Sequence, residues 1–266
     1  MERAMDPDAA RAAADLLWRH WQEGRPLSAL PAPLRPATRR DGYAVQAHVA
    51  ARSAAPLFGW KIAATSLAGQ EHIGAAGPMA GRLLAERVVA PGGEIPLAGN
   101  RMRVAEAEIA FRMARDLPAR DAPYTVAEVT AAVAGAHLAI EFPNSRLADY
   151  AAAGEAALIA DNACAHLFVL GPALAPGWRD RDLAALPTAI AAPGRPPHRG
   201  RGGNALDDPR IALAWLANEV AGLGPGLRAG EVVTTGTTTV PLPIEAGDVV
   251  TAEFDGLGTL SARVGA

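Results

Sequence analysis

Residues 104–113 run Val-Ala-Glu-Ala-Glu-Ile-Ala-Phe-Arg-Met, a strand pattern that carries two acids. At a period of two, Ala105, Ala107, Ile109, Phe111 and Met113 share one apolar face, and Glu106 and Glu108 share the other. Two carboxylates one strand repeat apart repel, so a metal, an arginine or open water must compensate them. A solvent-washed strand face is the plain alternative. A second segment, His137-Leu138-Ala139-Ile140-Glu141-Phe142, points Leu138, Ile140 and Phe142 one way and leaves Glu141 on the other side, before Pro143 stops the strand. Three carboxylates with no thiolate partner make an all-oxygen donor set, which suits Mg²⁺ or Mn²⁺ better than zinc. Spacing alone does not bring Glu141 to the pair.

Outward from these strands, the first fifty-odd residues read as helical. Asp6-Pro7 is an N-cap followed by proline at the first helical position, and Ala10, Ala14, Leu17, Trp18 and Trp21 recur at helical spacing. Gly24 ends that helix, residues 26–36 form a proline-rich linker, and a second helix runs from Asp41 through Val49. After Pro56 short apolar runs are split by glycine and proline, which reads as strands and turns. Thr125 and Glu128 form a capping box opening a helix over 126–134, and another helix spans 209–223. The last forty residues are β-rich, and the likeness of 229–233 to 246–250 is turn-plus-strand chemistry rather than a repeat. The expectation is an α+β fold: an N-terminal helical cap over 1–56, then a mixed, mostly antiparallel β-core over 57–266.

Composition narrows the function classes. The chain has 266 residues, 50% of them hydrophobic, enough for a large core. A formal charge of −3 with interspersed charges gives no footprint for nucleic acid. No run of residues reads as a membrane span, and the charged N-terminus lacks an apolar signal-peptide core, so a cytoplasmic protein is expected. One cysteine, Cys164, builds neither a disulfide nor a thiolate site, and with His166 it is expected to pack in a strand. His20, His48, His72 and His198 show no ligand spacing and read as structural or surface groups. Lysine and arginine total 25, yet Lys61 is the one lysine. An amine can exchange its proton where a guanidinium cannot, so Lys61 is either a site of acid–base chemistry or an ordinary surface cation.

The ordered set GWKIAATS, GPMAGRLL, AEAEIAF, AIEFPNSR, IADNA, VLG, WLAN, AGEVVTTGT and AGDVV resembles the fumarylacetoacetate hydrolase-like superfamily. Within it the chain is most similar to the 2-keto-4-pentenoate hydratase and 4-oxalocrotonate decarboxylase branch, from about residue 40 to the C-terminus. The resemblance implies a rolled β-core and homo-oligomers. It also implies a divalent-metal triad at Glu106, Glu108 and Glu141, with Lys61 as the conserved-type lysine of the preceding strand. Near a dication the Lys61 amine is expected to have its pKa lowered towards neutrality and to transfer protons. Asp161 and Asn162 match a family loop, giving an acid–base or polar substrate contact, or else a turn cap. Arg146 either clamps a carboxylate or pairs with a nearby acid. Thr235-Gly236-Thr237 suits a 2-oxo acid carboxylate, or is a solvated turn. Two departures stand out: Met79 occupies the place of an aspartate in the family's P-D-F-G-like turn, and Asn144 that of the acid in E-x-x-D-S-R. The leading expectation is hydration of a 2-hydroxy-2,4-dienoate to a 4-hydroxy-2-oxo acid. Decarboxylation of a 2-oxo-3-enedioate, C–C hydrolysis of an acylpyruvate, and a silent 2-oxo-acid-binding protein follow as alternatives.

Overall fold

The structure, a computed structural model, describes residues 4–266. Met1, Glu2 and Arg3, part of the charged N-terminus noted above, lie outside the described residues. Helix α1 (Pro7–Glu23) starts where the Asp6 side chain accepts from the Asp8 and Ala9 N–H groups, and it ends at left-handed Gly24. Helix α2 (Arg39–Ala50) opens on a Thr38/Asp41 capping box. Leu17 and Trp21 of α1 pack with Val45 and Val49 of α2 and with Leu84, Leu147 and Ala160, in an apolar cluster of their own. The 26–36 segment is not a free linker. Leu27 bridges Leu147, its N–H donating to Arg146 O at 2.8 Å, and Ala32–Leu34 forms a short 3₁₀ turn.

The strands are β1 (Gly59–Ala63), β2 (Met79–Leu83), β3 (Val88–Val89), β4 (Glu94–Ile95), β5 (Val104–Met113), β6 (Leu117–Pro118), β7 (Val133–Phe142), β8 (Leu167–Ala173), β9 (Pro187–Ala191), β10 (His198–Arg201), β11 (Gly226–Leu227), β12 (Val232–Thr237), β13 (Leu242–Pro243), β14 (Val249–Phe254) and β15 (Gly258–Val264). Eight of them form one sheet in the order β2-β1-β12-β5-β7-β8-β3, with β13 also on β5. Five form a second sheet, β10-β9-β14-β15-β4, and β11 pairs β6. The pairs β1–β12, β3–β8 and β4–β15 are parallel and the others antiparallel, as expected of a mixed, mostly antiparallel core.

The second sheet packs on the face of β5 and β7 that carries Ile109, Phe111, Leu138 and Ile140, where Phe254 and Leu260 join the main core. The opposite face, expected to be polar, is buried as well. Leu83, Ala110, Ala139, Phe168 and Val232 form a smaller apolar cluster there, and Glu108 is 0% exposed. The remaining helices are α3 (Leu67–Ile73), α4 (Val126–Ala131), α5 (Glu155–Ala160) and α6 (Pro209–Ala221). Helix α4 stops before the expected 134 because β7 begins at Val133, and α6 ends two residues before 223. The short helices α3 and α5 escape the periodicity because each spans barely two turns.

Strand β1 closes on β12 only because Gly59 has no side chain: a Cβ there would lie 1.8 Å from Val232 O. Gly59→Ala is expected to destabilise by about 3 kcal/mol, read as a lower urea midpoint. Gly224→Ala, which meets nothing within 4 Å, is expected to stay within about 0.5 kcal/mol of wild type.

Candidate metal centre and active site

Strand register assembles the acids. Glu106 on β5 stands directly opposite Glu141 on β7, and Glu108 follows one repeat along on the same face. One ligand oxygen from each lies within 4.8 Å of the others. Unscreened, such pairs repel by about 3–4 kcal/mol at an effective dielectric near 20. Lys61 on β1 pairs in register with Thr234 on β12, whose neighbour on β5 is Ala110, so the lysine emerges on the same face two strands away.

A bulge in β12 supplies the first donors. Between Thr234 and Thr237 the strand holds one residue more than β5 opposite, and Gly236 adopts φ +98°. This turns the Gly236 N–H onto Glu108 Oε2 at 2.9 Å, and the Thr234 hydroxyl donates to the same oxygen. A Cβ on Gly236 would fall 2.3 Å from Thr65 Oγ1, so the close approach also requires glycine. Glu108 Oε1 and both Glu141 carboxylate oxygens remain buried without a hydrogen-bond partner among the described residues. Lys61 Nζ lies 3.3 Å from Glu141 Oε2 and donates to Ala163 O at 3.1 Å. Orphaned buried carboxylate oxygens converging with an all-oxygen donor set fit a hard divalent cation.

The electrostatics agree with that geometry. Burial, then repulsion from Glu106, pushes Glu108 up to about 7. Glu106 is also raised, by burial, and Glu141 stands well above its usual range, burial again leading. The Lys61 ammonium is raised rather than lowered. Burial opposes its charge, but attraction to Glu141 and then Glu106 prevails. In the metal-free centre three carboxylates hold the proton on the amine; the downward shift is the expectation for the centre with a dication bound.

The turn that offers Ala163 O to Lys61 is strained. Asn162, Ala163 and Cys164 have φ of 56°, 48° and 60°, three successive left-handed residues without a glycine. Each such residue costs roughly 1–2 kcal/mol. Two brackets hold the turn. The Asn162 side chain accepts from Arg82 N at 2.7 Å and donates to Arg82 O at 2.9 Å. Asp161 accepts from Arg146 Nε at 2.5 Å, from Ser145 Oγ at 2.6 Å and from Arg146 N at 3.0 Å. Arg146 Nη1 donates to the carbonyls of Asn144 and Ala165, and Nη2 to that of Asp161.

These contacts revise several expectations. Asp161, Arg146 and Asn162 do not line the catalytic cavity. Their polar atoms are committed to one another, to Ser145 and to backbone, as the ion-pair and turn-cap alternatives expect. Thr235 turns to the other face and donates to Ile109 O at 2.8 Å, so it offers substrate nothing. Gly236 serves Glu108, while Thr237 does line the cavity. Cys164 lines it too instead of packing in a strand, because β8 begins only at Leu167. His72 is exposed, as its surface reading expects, and from α3 it also lines the cavity and meets the Tyr150 ring edge-on at 6.1 Å. No spacing could have announced it, since the contact is made across 78 residues of chain.

The cavity measures about 620 Å³, with Lys61 and Glu106 in its lining and Ile73, Met79, Met102, Leu158 and Val240 among its apolar walls. Among the described residues no arginine lines it. Asn144, the departure from the family acid, lies outside it and holds the 99–101 loop through Gly99 O and Arg101 N.

Between the unfolded carboxylate value and about 7, the native Glu108 binds more protons than the unfolded chain. Metal-free stability from this centre therefore falls as pH rises through that window, and a cation that displaces the protons gains by the same amount. The Mg²⁺-induced rise in Tm is expected to be larger at pH 7.5 than at pH 5.5 by scanning calorimetry. Glu108→Ala is expected to weaken Mn²⁺ binding at least about tenfold by titration calorimetry. Unchanged Mn²⁺ affinity in that variant would remove the metal assignment.

The chain is similar to known proteins over most of its length. Over 208 residues, 77% of each chain, the sequence is 39% identical to a 2-keto-4-pentenoate hydratase of Burkholderia vietnamiensis. It is 30% identical over 236 residues, 85% of this chain and 86% of the other, to a 2-hydroxyhexa-2,4-dienoate hydratase of Comamonas testosteroni. The fold superposes on 4-oxalocrotonate decarboxylase from Pseudomonas putida G7, complexed with magnesium and adipate, with a TM-score of 0.90. That match is 26% identical and covers 99% of this chain and 100% of that one. Residues 41–265 match the family model described as fumarylacetoacetate (FAA) hydrolase C-terminal, and the chain belongs to that family.

Proposed function

We propose that the protein is a metal-dependent hydratase that adds water to a 2-hydroxy-2,4-dienoate, giving a 4-hydroxy-2-oxo acid in the breakdown of aromatic compounds. The observation that carries this reading is the facing triad Glu106, Glu108 and Glu141, with its orphaned oxygens, beside a lysine only 3% exposed that lines a cavity. The hydratase names of the sequence relatives support it. Mg²⁺ or Mn²⁺ held by the three glutamates would supply the positive charge that binds the substrate's carboxylate and 2-oxygen and favours its enolate character.

The chain's own residues then have distinct tasks. In the overall change the C2 hydroxyl becomes a carbonyl, C3 and C5 each gain a proton, and C4 gains hydroxide, with water supplying one proton and the hydroxyl the other. Lys61 Nζ is the proton carrier for the carbon chain, held in place by Ala163 O and Glu141. Asp161, Arg146 and Asn162 keep the Ala163 carbonyl where the amine needs it. Apolar walls exclude bulk water from the chain of the substrate.

The structural likeness to a decarboxylase favours a second reading, loss of CO₂ from a 2-oxo-3-enedioate. Against it, no arginine among the described residues lines the cavity to pair with a second carboxylate, although hydroxyls of Thr65 and Ser66 and the His72 ring do line it. The proposal further takes 1–56 as a helical cap on a catalytic unit 57–266, in a cytoplasmic homo-oligomer. Among the described residues no helix is long and apolar enough to cross a membrane.

Offered 2-hydroxypentadienoate, 2-oxo-3-hexenedioate and acetylpyruvate with Mg²⁺, the protein is expected to consume the first fastest by loss of dienoate absorbance. Preference for the dicarboxylate would transfer the assignment to decarboxylation. Tight binding of a 2-oxo acid with turnover of none of the three would make it a binding protein. On the best substrate, Lys61→Arg is expected to keep fold and Mn²⁺ affinity but to lose about 10²–10⁴ in kcat. Near wild-type turnover in that variant would reduce Lys61 to a charge anchor.

A further inference from the structure

A second cavity of about 350 Å³ lies between the C-terminal end of α1 and the loops around residues 99 and 145. It shares no lining residue with the catalytic cavity. Four arginines line it, Arg25, Arg87, Arg101 and Arg146, against a single carboxylate, Glu23. Glu23 pairs with Arg25, and Asp161 beneath the cavity pairs with Arg146. Arg87 and Arg101 have no carboxylate partner among the described residues, which leaves an excess of two positive charges.

The arrangement presses like charges together. The guanidiniums of Arg87 and Arg146 both stack on the Trp21 ring, 4.8 Å and 4.5 Å from its centroid. Trp21 Nε1 donates to His166 Nδ1 at 2.8 Å, so that imidazole is held as an acceptor in the same wall. Burial, then repulsion from Arg146 and Arg87, pushes His166 down to about 3. Arg87 is also lowered, first by burial and then by Arg146. The end of α1 does not offset this charge, because the Gly24 and Arg25 N–H groups cap the carbonyls of Trp21 and His20. A half-buried guanidinium without a counter-ion, in a concave site of this size, is a receptor for planar or tetrahedral oxyanions.

We propose that this second cavity binds a small dianionic oxyanion, phosphate or a short dicarboxylate, with Arg87 and Arg101 as its principal donors. Two charges on the ligand match the excess in the wall, and Trp21 keeps the Arg87 guanidinium in a fixed plane. The site lies apart from the three glutamates, so its occupancy needs no divalent cation. Beneath it, the Arg146–Asp161 pair leads into the turn that holds Ala163 O against Lys61.

Titration calorimetry of the full chain with inorganic phosphate and with succinate, each against chloride at equal ionic strength and with or without Mg²⁺, tests this. Saturable binding of at least one of them in the absence of Mg²⁺ is expected. The Kd should rise at least about tenfold in Arg87→Gln, with circular dichroism unchanged. Phosphate binding alone or succinate binding alone identifies the source of the anion. Should Arg87→Gln fail to fold, Arg101→Gln, at an exposed side chain, is expected to weaken binding in the same direction. No binding beyond chloride, or binding that requires Mg²⁺ and survives both substitutions, would overturn the proposal.

Discussion

Repulsion among Glu106, Glu108 and Glu141 is the constraint around which the rest of this molecule is organised. An antiparallel ladder places Glu106 and Glu141 face to face, an arrangement that destabilises a sheet unless something answers it. Here the answers are graded: a buried ammonium from β1, a backbone N–H and a hydroxyl from the β12 bulge, and raised proton affinity on the acids themselves. None of these satisfies every oxygen, and the remainder is what a hard cation would complete.

The centre stands on strands, and its supports are the irregular parts. Glu106, Glu108, Glu141 and Lys61 are all held in register by β5, β7, β12 and β1, so their separations follow from ladder geometry rather than from loop conformation. The strain sits next to them, in a bulge at Gly236 and in three left-handed residues at 162–164. Both irregularities deliver a backbone dipole that a regular strand could not aim: the Gly236 N–H to a carboxylate and the Ala163 carbonyl to the amine. Stored strain of this kind persists only where its surroundings over-determine it, which is the work of the Arg146–Asp161 and Asn162–Arg82 contacts.

The two cavities divide the charge of the molecule between them. The first cavity is lined by apolar and neutral polar residues with one glutamate, Glu106, and the one lysine, whereas the cavity beside α1 is lined by four arginines and the His166 imidazole. Arginine serves the second setting because its planar cation stacks on Trp21 and resists deprotonation. The chain's single lysine stands apart from this pattern, buried against Glu141 and the Ala163 carbonyl.

The period-two pattern of 104–113 determined by itself that Glu106 and Glu108 share a face, and 137–142 did the same for Glu141, because side-chain alternation in a strand is local geometry. Helix starts at Asp6 and Thr125 are equally local, written in capping residues, whereas α2 begins at Arg39, two residues before the expected Asp41. The lone lysine was legible from composition alone. What the strands face was not: β5 is buried on both sides, because a second apolar cluster forms from five segments distant in sequence. Nor could spacing tell that Arg146 and Asp161 answer each other, that Thr235 turns away, or that His72 and Cys164 reach the cavity. Those facts depend on the register between strands, on one bulge and on one left-handed turn. Such features are set by contacts between residues far apart in the chain, so only the tertiary structure decides them.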